Sequence, residues 1–433
     1  MKINEVLYLI LAVLIIANGL GAESPARRSL ADALEDPRVQ AALSRLDGNA
    51  GKMAADLAEI GAIPSPSGSE HERAAAVAAM MREIGLSDVR VDEIPNAVGR
   101  IPGRSGRTLV FISTLDDLET VAEHQRRAGG PPRVEDDRVI GPGVNTSSIT
   151  ISMLAAAEAF VKSGIEPEHD LIFAAVAQEE TGLMGMRKIY ADTRDGALGF
   201  IDILGDGRSI SYGAIGIHWW KVAASGPPGH SLGGGLPNVN QGIGRAVDRI
   251  LSLPHPARET ALRTVVNVGI LRSGAVFNHK PENGWFSLDI RSLDMGVIAA
   301  VEETVRAVLD EVSAETGIAF QMEPFQLTPG GQIPDAVNSP LVETAVDVSR
   351  HLGYEPRLGN AGSSNMNIAI GGGTPAIGLG GSRGGQRGFP DEWADIPAMV
   401  RSAKHVFLLA AALGGAANPG LPNARFSSGR PSR

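Results

Sequence analysis

The stretch FAAVAQEETGLMG, residues 173–185, sets two adjacent glutamates, Glu179 and Glu180, directly after an unbroken apolar run. A run apolar on both faces fits a strand buried inside a parallel sheet, and acids at its end fit the start of a following helix, whose dipole favours them. Neighbouring carboxylates still repel. Their pairing implies a bound cation, a raised pKa or a basic partner.

Outward from this stretch, LVFIS (109–113), FIDIL (200–204) and PAIGL (375–379) repeat the same character, and the run before the glutamates begins earlier, as LIFAAVA (171–177). Helical patterns alternate with them. The clearest places Thr150, Met153, Leu154, Ala157, Phe160 and Val161 on one face. The expected fold is α/β, a mostly parallel central sheet flanked by helices. Open sheets of this kind hold ligands outside the carboxyl ends of their strands. The residues following each run therefore form one rim: Thr114, Asp116 and Asp117; Glu179 and Glu180; Asp206; and the glycine-rich GGSRGGQRGFPDEW (380–393).

From 214 to 325 the pattern changes. HWWKVAAS (218–225), a helix over 238–252, TVVNVGIL (264–271), GWFSLDIRS (284–292), a helix striped with Val297, Val301, Val305, Val308 and Val312, and AFQMEPF (319–325) follow one another. This βαββαβ order predicts a ferredoxin-like lid and dimerisation unit inserted into an α/β domain of residues 45–213 and 326–415. HWWKVAAS reads as its aromatic edge strand, which a homodimer contact would cover.

With 43% hydrophobic residues in 433, the chain can bury a large core. A net charge of −10 gives no basic stripe and excludes nucleic acid as the expected partner. Residues 1–22 read as an export signal, their apolar run Val6–Ala17 being too short for a stable membrane span. The absence of cysteine suits the periplasm or the exterior. Residues 23–45 read as a leader and 416–433 as a disordered tail.

The motifs IPSPSGSEHERAAAVAAMMREIGL (63–86), GPGV (141–144), the Glu-Glu pair, GPPGHS (226–231), FNHKPENGWFSLDIRS (277–292) and GTPAIGLGG (373–381) stand in an order that resembles metallopeptidase family M20, the two-zinc aminoacylases, carboxypeptidases and desuccinylases. The resemblance spans about residues 50–410. It implies Glu179 as general base, Glu180 and Asp206 as metal ligands, Asp116 as the acid partner of a ligand histidine, and His230 as a lid residue that stabilises an oxyanion in the partner subunit. It also implies Asn278 and Arg291 as substrate-binding residues. Three ligand positions depart from the pattern: Thr114 and Gly388 stand where histidines are expected, and Thr146 stands where a bridging aspartate is expected. A catalytic zinc takes about three protein ligands, so the family's two zinc ions are not expected here.

Blander readings stand beside these. Asp116 and Asp117 suit helix capping, Arg291 a salt bridge on a strand, and His230 a turn; His71, His124, His169, His255, His351 and His405 suit surface or packing roles. Three functions follow: a pseudo-hydrolase that binds a peptide or acyl amino acid, an amide or aryl-amine hydrolase built on Glu179 with an atypical metal site, or a structural dimer.

Overall fold

The computed structural model describes residues 25–254, 256–257 and 260–415; the export signal read over 1–22, the tail 416–433 and His255 lie outside the described residues. The four apolar runs lie side by side and parallel, as Asp170–Val176, Thr108–Thr114, Ala197–Ile203 and Ala376–Gly380. Ala97–Ile101 and then Ser87–Val91 add antiparallel strands at one edge, and Ser209–Ser211 and Arg357–Gly359 complete the eight-stranded sheet at the other. Phe111 and Phe173, both fully buried, stack between neighbouring strands with ring centroids 5.2 Å apart.

Helices Val144–Ser163 and Ile396–Leu413 belong to the larger core on one face of the sheet. Both are apolar and long enough to cross a bilayer, yet both are buried in the protein. Met184–Thr193 and Met366–Gly371 form the smaller core on the other face. Gly143, at φ +90°, starts the helix Val144–Ser163; a Cβ there would meet Gln125 Nε2 at 2.1 Å and Gly61 O at 2.4 Å, so the GPGV turn requires glycine on both counts.

Two sequence readings are corrected. The supposed leader 23–45 contains packed helices, Pro25–Glu35 and Pro37–Gly48, whose Leu30, Val39, Ala42, Leu43 and Leu46 join the core. The signal was present, since Asp36 caps the second helix and Pro37 occupies its first turn. HWWKVAAS, within Gly216–Ser225, is no edge strand: it lies between Asn283–Ser292 and Ala319–Thr328, and the latter forms the edge.

Residues 216–328 build an antiparallel sheet with two helices, Val239–Leu251 and Met295–Thr316, around their own core. Counted along the chain, its strands are ordered four-one-three-two, as in ferredoxin-like units. TVVNVGIL forms two short strands, Val265–Asn267 and Leu271–Ser273, because the Ser287 hydroxyl accepts the Gly269 and Ile270 N–H groups and interrupts the ladder. On the long helix Ile298, Val301, Val305, Leu309 and Val312 are buried, while Val297 and Val308 lie at the margin.

The stacked ring pair is central to the larger sheet. Phe111→Ala is expected to lower unfolding free energy by about 3–5 kcal/mol, seen as a lower urea midpoint with an unchanged denaturant slope.

Candidate active site

The strand Thr108–Thr114 leads through Leu115 to Asp116 and Asp117, both buried. Beyond Asp170–Val176, Gln178 takes φ +55° and turns the chain. That turn aims the Glu179 and Glu180 N–H groups at Asp116, at 2.8 Å from Oδ1 and 3.1 Å from Oδ2. Ser67 Oγ donates to Asp116 Oδ2 at 2.5 Å. Asp116 thus holds the glutamate loop in place.

The acids are crowded in a poorly solvated space. Burial pushes Asp116 up to about 6, against hydrogen bonds from Ser67 and the two backbone N–H groups. Burial pushes Glu179 up to about 8, helped by the neighbouring charges of Glu180, Asp116 and Asp202. Asp202 is raised to about 6 by burial as well. A Glu179 with that pKa carries its proton at neutral pH, when it is better suited to donate a proton than to accept one.

Guanidinium groups supply the compensating charge. Arg387, from the glycine-rich loop, forms an ion pair with Glu180, and its charge opposes the upward shifts of Glu179 and Asp117. Arg73 pairs with Asp117 at 2.7 Å, each about 1% exposed, and donates to Leu115 O at 2.9 Å. Arg383 lies close enough that burial and the like charge of Arg387 lower its pKa, while Glu179, Glu392 and Glu180 raise it.

The three positions at which the resemblance expects other ligands are placed as follows. Thr114 Oγ1 faces Asn365 Nδ2 at 3.3 Å, and the same nitrogen is 3.5 Å from Asp202 Oδ1. Thr146 is buried near the start of the helix Val144–Ser163. Gly388 has φ +90°, where a histidine would be strained, and its N–H donates to Glu392 Oε2 at 2.9 Å. Glu392 also accepts from Gly143 N at 2.7 Å and Asn145 N at 3.2 Å, fastening this loop to the helix start, where a carboxylate complements the dipole.

Asp206 is engaged by Arg208 Nε at 3.1 Å, Arg401 Nε at 3.0 Å and Ser382 N at 2.9 Å. The carboxylate that acts on Glu179 from this strand is Asp202, which sequence reasoning missed. Its signal was a lone acid inside the otherwise apolar FIDIL. Arg73, Arg383, Arg387, Asn365 and Glu392 were missed too. The residue types present do not fit a two-zinc centre: threonine and glycine stand where the resemblance expects three of the ligands, and Arg387 lies against Glu180. Among the described residues no three His, Cys, Asp or Glu side chains converge as a metal-binding group.

Beside a two-stranded ribbon of Gly229–His230 and His279–Lys280, His230 and Asn278 come together, His230 Nε2 lying 3.0 Å from Asn278 Nδ2. Arg291 is tied to Asp289 at 3.0 Å, with its guanidinium over the Trp219 ring.

Acids gathered beyond parallel strand ends, on a sheet that carries a second βαββαβ unit, define a metallopeptidase-type α/β fold. The chain belongs to Peptidase family M20/M25/M40, which it matches over residues 117–412. It is similar to carboxypeptidase G2 of Pseudomonas sp. (strain RS-16), 26% identical over 321 residues covering 71% of this chain and 74% of that protein. It is also similar to succinyl-diaminopimelate desuccinylase of Corynebacterium glutamicum, 25% identical over 283 residues covering 63% and 73%. A tripeptidase structure from Staphylococcus aureus shares the fold with a TM-score of 0.71 at 19% identity, over 84% of this chain and 99% of its own.

The Arg387–Glu180 pair, its side chains partly exposed, should show a coupling of about 1 kcal/mol in a double-mutant cycle of Arg387→Met and Glu180→Gln. Removing Arg387 takes away a charge that holds down the pKa values of Glu179 and Asp117, so their ionised forms are penalised in the folded state. The cost of Arg387→Met is therefore expected to be larger at pH 8 than at pH 5, as read from urea denaturation at both pH values.

Proposed function

We propose that this family member is a pseudo-hydrolase, a protein that keeps the cleft of a metal-dependent peptidase or amidohydrolase and binds a peptide or acyl amino acid without a two-zinc centre. The observation that carries this reading is the position of Arg387: a fixed side-chain cation lies against the glutamate that would ligate a metal. A covalently tethered charge neutralises the acids but offers no open coordination position, and so cannot generate a metal-activated water. Retention of the Glu179–Glu180 pair and the anchoring Asp116 supports an inherited cleft.

One observation favours a second reading, hydrolysis by altered chemistry: Glu179, raised to about 8, is poised to move a proton near neutral pH. Elemental analysis of protein purified without chelators, beside a hydrolysis screen of N-acyl amino acids, dipeptides and aryl amides, separates the two. Well under one zinc per chain and no turnover above a Glu179→Gln control are expected. Two stoichiometric zincs, or turnover that Glu179→Gln abolishes, would overturn the pseudo-hydrolase reading.

We also propose a homodimer formed by the smaller sheet, in an exported protein of the periplasm or exterior. The ten-residue edge strand Ala319–Thr328 exposes Phe325 at 75%, an apolar edge that pairing with a second copy would cover. Light scattering at micromolar concentration is expected to give twice the chain mass, and Phe325→Lys to shift it toward the monomer.

A further inference from the structure

The arginines around the cleft are taken up by acids, with one exception. Arg387 pairs with Glu180, Arg73 with Asp117, and Arg208 and Arg401 with Asp206. Arg383, from the same glycine-rich loop as Arg387, makes no ion pair and no side-chain hydrogen bond among the described residues, although it stands in the field of Glu179, Glu180 and Glu392. It is half-buried, and burial is the first cause that lowers its pKa. The guanidinium has given up water without gaining a partner on the chain.

The backbone that carries it is fixed on both sides. Ser382 N donates to Asp206 Oδ1 at 2.9 Å, Arg383 O accepts the Asp395 N–H at 3.0 Å, and Gly384 and Gly385 pair with Ala394 and Trp393. The nearby acids are already engaged. Glu180 is held by Arg387, and Glu392 accepts N–H groups from Gly143, Asn145 and Gly388. What remains is one positive charge whose planar fork of N–H donors matches the two oxygens of a carboxylate. One guanidinium balances one negative charge, and the surrounding acids would repel a second, so a carboxylate fits better than a phosphate dianion.

The arginine that the resemblance implies for substrate binding is engaged elsewhere: Arg291 is tied to Asp289 at 3.0 Å and lies over the Trp219 ring. We propose that Arg383 receives the carboxylate of the ligand, so that a peptide or acyl amino acid is held by its charged end against the glycine-rich loop. The assignment rests on the reading of the cleft as a binding site for such compounds, and it names the group in them that is recognised. The charged end then lies on the side of the cleft where Arg387 already stands against Glu180.

The test is isothermal titration of the full-length protein with N-acetylglycine, N-acetylleucine, N-acetylphenylalanine and glycylleucine, each against its own carboxamide, with inorganic phosphate as a further arm. The acids that bind are expected to do so about tenfold to a hundredfold more tightly than their amides, as a hydrogen-bonded pair of charges provides. That ratio should fall to near unity in Arg383→Met and to an intermediate value in Arg383→Lys, which keeps the charge and loses the fork. Because the ratio is read within one variant, a change in stability does not imitate it. Equal affinity of acid and amide in the parent protein, or a ratio that survives Arg383→Met, would overturn the assignment of Arg383 and leave the binding cleft standing. Phosphate bound as tightly as the acids would overturn the choice of carboxylate. Binding of none of these compounds, acid or amide, would overturn the reading of the cleft and the assignment with it.

Discussion

Carboxylates brought together at the ends of parallel strands must find compensating charge, and most of the site's architecture follows from how this chain provides it. Asp116, Asp117, Glu179, Glu180 and Asp202 come from three strand ends in a space where burial raises several of their pKa values. Arg73 lies against Asp117 from the helix His71–Ile84 and Arg387 against Glu180 from the loop. The guanidinium is permanently charged and planar, with a fixed set of donors, and so can stand between acids without the ligand geometry a metal demands. It is also part of the chain. Its charge arrives with folding and depends on no free ion.

Such a tethered cation needs a precisely held loop, and Glu392 provides the fastening. Its carboxylate accepts N–H groups from Gly143 and Asn145 at the helix start and from Gly388 in the loop. The same helix start would need a strained backbone with any residue but glycine at 143. Fold and site therefore share one joint, since the residue that ends the helix dipole also sets where Arg387 begins its reach.

Most of the fold could be read from the sequence because its period is simple. Four apolar runs gave the four parallel strands in register with the core, and the βαββαβ order of the insert gave its sheet. The errors came where one signal outweighed another. The stretch 23–45, judged by its place after an apolar leader, carries an N-cap and an apolar stripe that predict helices on their own terms. HWWKVAAS looked like an edge because of its aromatics, but edge status depends on the order of strands, which composition does not encode. In the site, acids were legible from their places after strands. Their partners were not, because Arg73, Arg387 and Glu392 lie far away in sequence and meet them only through the fold. Asp202 stands within the strand Ala197–Ile203 and Asp206 just beyond it, and only the packing of Arg208 and Arg401 tells which of the two is taken up elsewhere.

The left-handed backbone at Gly388 makes exchange between this loop and one carrying a side chain there unequal in its two directions. A side chain can be lost at a position without moving anything, and glycine then permits the loop to settle into a shape that only glycine tolerates. With Arg387 held against Glu180 by that shape, a histidine placed at 388 would meet a backbone that disfavours it. The loop behaves as a ratchet: each step forward is small, and the single step back is closed.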